Sequence, residues 1–299
     1  MRIVLGAQSL AQCLRDHTFA DGTSPELVDV RPTHRAFAPM VNAQAYDLSE
    51  LAIVTFLQAF AAGRPILLLP VTALARFQHH CLVSIAGAVA SPADLPGRTV
   101  GVRSWSQTTG VWVRALISDD HGIDLRTIRW RVYEGSHVSG VEDPDFVVRA
   151  PEGAKLVDDF RSGAVDAAIL GNELPDDPRV TCLIDDPPRA AAAWYARTGA
   201  VPINHVVVAS SQYARKQPER VHEAFQAMLA AKPAPRPTSN PDFAPCGFDA
   251  MRPSLELASR YAHEQGLLAR PVSVDEVIAA TVDVLGSHPA LFHGRPDVM

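Results

Sequence analysis

"LPGRTVGVRSWSQTTGVWVRALISDDHGI" (95–123) carries the transition on which the fold turns. Val100 and Val102 alternate with smaller or polar neighbours, as on a strand. Trp112, Val113, Leu116 and Ile117 then recur at three- and four-residue spacings, as on one helix face. Between the two patterns lie Ser104, Ser106, Thr108 and Thr109. Hydroxyl side chains at a helix start can cap the free backbone N–H groups. The same N–H groups, with the positive end of the helix dipole, can instead hold an anion. Arg103 beside them favours a carboxylate, because a guanidinium grips one at two points. The glycine loops that cradle nucleotide phosphates are missing from the chain, which argues against a nucleotide.

Working outward, strand-like and helix-like segments alternate along the whole chain, the signature of an α/β protein with largely parallel sheets. "RIVLGA", "LVDVRP", "PILLLPV" and "HCLVSIAG" read as strands of a first lobe, and "AYDLSELA" as a short strand opening into the helix "VTFLQAFAAG". The turn-rich "SPADLPG" (91–97) marks the passage into a second lobe. That lobe holds "RTVGVR", "TIRWRVYEG", the helix "AKLVDDFRSG", "DAAILG" and "VTCLID". "PINHVVVASS" is the return crossing, and the amphipathic helix "QPERVHEAFQAMLAAK" packs back on the first lobe. The division expected is 1–90 plus 206–299 for the first lobe and 91–205 for the second, with a cleft between them.

With 299 residues, 47% hydrophobic and 20% charged, the chain has the balance of a soluble globular protein with room for two cores. A net charge of -6 supplies no basic field for nucleic acid or anionic lipid. No apolar run reaches spanning length, and the apolar stretch at the N-terminus is too short for a signal-peptide core, so a cytoplasmic protein is expected. Cys13, Cys81, Cys182 and Cys246 are scattered, which points to thiols in a reducing compartment.

The stretch "DLPGRTVGV…TTGVWVRALISDDHGID…IRW" resembles the 4,5-dihydroxyphthalate decarboxylase family, as do "YDLSELA", "LLLPV…RFQHH", "GAVDAAI", "YARTGAVPINHVVV" and "RYAHEQGLLARPVSVDEV" in the same order. The resemblance implies a two-lobed α/β fold like that of type II periplasmic binding proteins. It also implies cofactor-independent loss of CO₂ from a hydroxylated aromatic acid, a ring hydroxyl feeding electrons toward the departing carboxylate. An imidazole titrating near neutrality suits the proton delivery to the ring carbon.

His79 matches the histidine closing the family's "SRxFRH"-like segment, and His205 that of its "TGxxPIxH" segment. Each is either a proton-transfer residue or a satisfied core histidine. Ser49 and Glu50 either cap the following helix or face the cleft, Glu50 then joining the acid–base set. Arg103, Ser104, Ser106, Thr108 and Thr109 would hold the carboxylate, with Arg76 as a further contact; Arg31 reads as a solvated charge. Asn172, at the carboxyl end of "DAAILG", stands where α/β ligands gather. His79 and Cys81 would share a strand face, but without further ligands at suitable spacing no metal site is expected. The expected partner is a small carboxylate, with no cofactor, nucleic acid or membrane, and a homodimer left open.

The chain departs from the family pattern where charge matters. Leu74, Ala75 and Gln78 replace a serine and two arginines, and Ser104-Trp105 replaces an acidic–aromatic pair. Arg76 is adjacent but, on a strand, would face the other side. A ligand other than 4,5-dihydroxyphthalate is therefore expected. The rival readings are a non-catalytic binder of small carboxylates and a chorismate-dehydratase-like enzyme on the same fold.

Overall fold

The computed structural model describes residues 1–171, 174–232 and 241–294. From the N-terminus the elements are β1 (Arg2–Val4), α1 (Gln8–Arg15), β2 (Glu26–Leu27), α2 (Phe37–Ala43), β3 (Leu48–Ala52), α3 (Ile53–Ala61) and β4 (Ile66–Ala75). Next come β5 (Leu82–Ile85), β6 (Thr99–Ser104), α4 (Thr108–Asp119), β7 (Arg129–Glu134), β8 (Val147–Arg149), α5 (Leu156–Ser162), β9 (Ala167–Ile169), β10 (Val180–Cys182) and α6 (Pro187–Thr198). The chain continues through β11 (Ile203–Ser210), α7 (Ser211–Lys216), α8 (Pro218–Ala231), α9 (Phe248–Glu264), α10 (Val274–Leu285) and α11 (Pro289–His293).

Two sheets result. The first has the order β2-β1-β3-β11-β4, with β11 antiparallel to both neighbours; the second has the order β10-β5-β9-β6-β7-β8. In the second sheet β9, β6, β7 and β8 run parallel, as strands joined by crossover connections do. The architecture is a mixed α/β fold of two lobes with a cleft, the type II periplasmic-binding-protein arrangement.

The crossing between sheets lies earlier than "SPADLPG". Strand β5 pairs with β9 and β10, Leu82 opposite Ile169 and Val83 opposite Cys182, so it belongs to the second sheet. Its apolar sequence calls for two covered faces without saying which sheet supplies them. On the return, Ile203 and His205 already pair with β4. Residues 79–81 form a 3₁₀ turn instead of a strand, so strand alternation does not set the directions of His79, His80 and Cys81. Helix α6 has no counterpart in the sequence reading; Pro187 and Pro188 open it, and the Asp186 carboxylate accepts the Arg189 N–H.

A buried cation joins α9 to the corner at α4. Arg114 is fully buried, its guanidinium 3.6 Å above the Trp105 ring. It donates to Gln265 Oε1 at 2.7 Å and to the Trp105 carbonyl at 2.6 Å. Gln265 in turn donates to the Val111 carbonyl, and its own carbonyl accepts the Trp105 indole N–H, each at 2.9 Å. Burial pushes the guanidinium well below its usual basicity. An Arg114→Met variant keeps the bulk but strands two buried acceptors. It is expected to lose about 3 kcal/mol of stability in urea unfolding; an unchanged midpoint would show that the network contributes no net stability.

Candidate active site

A cavity of about 350 Å³ lies between the two sheets. One wall is built on β3 and β11. Glu50 points from β3 toward β11, where His205 Nδ1 meets its Oε1 at 2.6 Å. The other carboxylate oxygen accepts the Gly6 and Ala7 backbone N–H groups at 2.8 and 2.9 Å. Only glycine at position 6 lets the chain approach this closely, because a Cβ there would stand 2.3 Å from Thr33 Oγ1. Burial pushes the Glu50 carboxyl up, but the His205 hydrogen bond and charge with the two backbone donors outweigh it. The net result is a carboxyl held below its usual range and ionised at neutral pH. With Nδ1 committed to Glu50, Nε2 is the His205 nitrogen left for the cleft, which the ring lines.

The facing wall is the corner at 103–109. Helix α4 begins at Thr108 with Gln107 as its N-cap, and no side chain caps it. The Thr108 hydroxyl accepts the Val54 N–H at 3.5 Å, and the Thr109 hydroxyl accepts from Asn204 Nδ2 at 3.3 Å. Of the two readings of this cluster, capping is therefore excluded. Ser106, Thr108 and Thr109 line the cavity at the positive end of α4. Arg103 and Arg76 line it as well, and the buried Nε of each lacks a hydrogen-bond partner. Arg103 Nε stands 3.6 Å from Glu134, too far for a hydrogen bond. Arg76 follows the last residue of β4, so the strand alternation that would have turned it away does not apply. Gly171 leaves space beside it, since a Cβ there would lie 3.4 Å from Arg76 Nη2.

Three expected residues, Ser104, Ser49 and His79, fall elsewhere. Ser104 is on the strand face opposite Arg103, where its hydroxyl donates to the Gly135 carbonyl at 3.1 Å and lies 3.0 Å from Ser106 Oγ. Ser49 is wholly buried and donates to the Glu50 carbonyl at 2.8 Å, one residue out of phase with the cleft. Asn172 lies outside the described residues. His79 faces away from His205, into a separate cavity of about 390 Å³ lined also by Asp120, Ile184 and Arg197, because the 3₁₀ turn redirects it. Arg31 is an exposed partner of Asp29. Among the described residues no three His, Cys, Asp or Glu side chains gather as metal ligands, and no helix is long and apolar enough to cross a membrane.

His79 has its own consequence. Burial, followed by the charges of His80, Arg197 and His121, holds its pKa at about 4 against an ordinary 6.5. Above 6.5 the ring is neutral in both folded and unfolded chains. Between 6.5 and about 4 the unfolded chain binds a proton that the folded chain does not, so stability is lost as pH drops through that window. The whole effect amounts to about 3 kcal/mol. A His79→Leu variant should lose that part of the acid sensitivity when urea unfolding at pH 7 and at pH 4.5 is compared. An equal drop in both proteins would assign the sensitivity to other groups.

His137, Gln107, Thr55 and Asn204 also line the cleft and were not singled out from sequence. His137 follows the carboxyl end of β7, and that position is the signal that could have found it.

No family model matches the chain. The 4,5-dihydroxyphthalate decarboxylase of Comamonas testosteroni is 30% identical over 218 residues, covering 66% of this chain and 64% of that protein. The Pseudomonas putida enzyme of the same name is 30% identical over 190 residues, covering 58% of this chain and 72% of that protein. The chain belongs to the 4,5-dihydroxyphthalate decarboxylase family. Its match to the Comamonas relative spans just under two thirds of that protein's length. Among solved structures, the alkanesulfonate-binding protein SsuA of Xanthomonas axonopodis pv. citri, bound to MOPS, superposes with a TM-score of 0.58 at 16% identity, covering 93% of this chain and 96% of that one. A cysteine-to-serine mutant of DszB in complex with biphenyl-2-sulfinic acid gives 0.54 at 18% identity, covering 96% and 100%. At these identities the fold is what family member and neighbours share.

Proposed function

We propose that the chain is a cofactor-independent carboxy-lyase that releases CO₂ from a small hydroxylated aromatic acid. The observation that carries this reading is His205, held from behind by the buried Glu50, lining one cavity with Arg103, Arg76 and the start of α4. The guanidinium groups and helix end bind the substrate as its carboxylate. His205, protonated and held by Glu50, gives its Nε2 proton to the ring carbon bearing the leaving carboxylate. Electrons from the ring hydroxyl compensate that carbon. The carbon–carboxylate bond then breaks, its electron pair returns to the ring, and CO₂ departs. The balance is one arene carboxylate and one proton in, one arene and one CO₂ out. Closure of the lobes, moving about the crossings near 76–81 and 199–203, would exclude water from this charge shift. We place the reaction in the cytoplasm.

The test is CO₂ release from a panel of hydroxylated benzoates and phthalates, 4,5-dihydroxyphthalate included, monitored with the purified protein. Release at enzymatic rates supports the lyase. Tight binding with every acid recovered unchanged would sink it in favour of a carboxylate-binding protein. Turnover of an enol-ether acid alone would favour the dehydratase.

A further inference from the structure

We propose that His137 is the second acid–base residue of the cleft, accepting the hydrogen bond and, in turnover, the proton of a ring hydroxyl on the substrate. The inference rests on the carboxy-lyase reading for its chemistry and on the seating of His137 for its geometry.

His137 belongs to the loop after β7, on the second sheet, yet side chains of the first lobe hold it. Asn42 Nδ2 donates to the His137 carbonyl at 2.8 Å, and Asn42 Oδ1 accepts the Ser139 N–H at 3.0 Å. Arg64 donates to the Ser139 carbonyl at 2.9 Å, and Ser136 donates to Gln58 Oε1 at 3.1 Å. These contacts bridge the lobes, so the position of the imidazole is defined by their approach. The ring itself stands with Nδ1 3.3 Å from Thr55 Oγ1. A Thr55 hydroxyl accepting the Nδ1 proton leaves the Nε2 lone pair for the cleft. Phe37 packs edge-to-face against both His137 and His205, 5.4 Å from each, and all three rings line the same cavity.

The two imidazoles differ in what surrounds them. His205 has a carboxylate, whereas His137 has burial and the charges of Arg103 and His34, which hold its pKa at about 4. The neutral ring is an acceptor at rest. A weak base suffices for the step assigned to it. Once the ring carbon has been protonated, the hydroxyl on that cation is a strong acid, and its proton passes to Nε2 as the O–H electrons form the ring carbonyl. After CO₂ leaves, the bond electrons restore the aromatic ring and the oxygen takes the proton back, returning His137 to neutrality. A substrate carboxylate on Arg103 also masks one of the charges that weaken the base.

The two variants separate these roles. In His137→Asn an amide replaces Nδ1 and nothing replaces Nε2; in His137→Gln an amide reaches the Nε2 position and can hydrogen-bond there but cannot take up a proton. Calorimetric binding of 3,4-dihydroxybenzoate and of benzoate reads the hydroxyl contact without any turnover. The wild type is expected to prefer the dihydroxy acid at least about tenfold, the size of one hydrogen bond to a buried acceptor. His137→Asn should lose most of that preference while binding benzoate within twofold of wild type, and His137→Gln should keep it. On an acid that the wild type decarboxylates, both variants should lose at least about 50-fold in kcat, within the range of one acid–base group. A preference that survives in His137→Asn, or a wild type without one, overturns the hydroxyl contact. A His137→Gln variant with wild-type kcat overturns the proton transfer. A wild type that shows the preference but decarboxylates nothing would sink the lyase reading while leaving the hydroxyl contact decided by the binding ratio.

Discussion

A His205→Asn variant is expected to bind a hydroxylated aromatic acid within about threefold of wild-type affinity and to release CO₂ at least about 100-fold more slowly. Asparagine can still donate toward Glu50, so the wall of the cleft survives while the proton donor is gone. The effect should therefore fall on kcat and spare KM. Glu50→Gln tests the same pair from behind. The glutamine oxygen must face the Gly6 and Ala7 N–H groups, which supply the donors there. Its amide nitrogen then faces His205 Nδ1, where the wild-type carboxylate sits at 2.6 Å. A donor opposite Nδ1 holds the ring in its neutral form, so turnover should fall by a comparable factor without loss of the fold. A His205→Asn enzyme within fivefold of wild-type kcat would remove His205 from the chemistry.

Acid conditions affect Glu50 and His79 in different pH ranges. Because the folded chain holds the Glu50 carboxyl below its ordinary value, the stability it contributes is complete above that value and is lost only as pH falls through the lower, folded one. His79 acts earlier on the way down, from 6.5 toward about 4. Calorimetric scans that separate these windows therefore distinguish a buried neutral histidine from the carboxylate of the Glu50–His205 pair.

The parts of the site legible in the sequence are those where one local pattern breaks into another. At 103–109 strand alternation ends in small hydroxyl residues before helical spacing begins, and this break marks a corner that could be either a capped helix start or an anion site. Glu50 and His205 are visible through motifs that resemble the family's, and the fold brings together two strands separated by more than 150 residues. What escapes has no local signature. The apolar run at 82–85 would suit either sheet; only its partners β9 and β10 decide. His79 reads as a cleft residue on a strand, whereas a single 3₁₀ turn sends it to another cavity. His137 follows the carboxyl end of β7, which makes it a cleft candidate, but its seating by Asn42 and Gln58 from helices far upstream shows in no window around residue 137. Arg76 shows the same limit in reverse: one residue past the strand end, it does what strand phase would forbid.

Replacing Arg103 and Arg76 by glutamine is expected to have the largest effect on binding. Each guanidinium lines the cleft with a buried Nε that makes no hydrogen bond within the protein, so each has capacity for a carboxylate oxygen. A charge-assisted bond contributes about 1.5–3 kcal/mol. Each single variant should therefore lose about 10- to 100-fold in affinity for the carboxylate, and the double variant about 1,000-fold or more. The loss should appear in KM or Kd far more than in kcat. Lysine should restore only part of it, since a point charge cannot make the two-point contact. Arg215→Gln, which breaks an exposed pair with Asp283, serves as the control and should change nothing. A double variant that still binds would leave the start of α4 to hold the anion alone. The Arg103 variant has a second readout. Burial is the main cause that keeps His137 below its ordinary pKa, and the Arg103 charge comes next. In Arg103→Gln the His137 ring should titrate closer to the ordinary range in a proton NMR series, while burial still holds it low. If Arg103 holds the substrate, the same cation adds to the burial that lowers the proton affinity of His137, and a carboxylate bound to it would relieve part of that lowering.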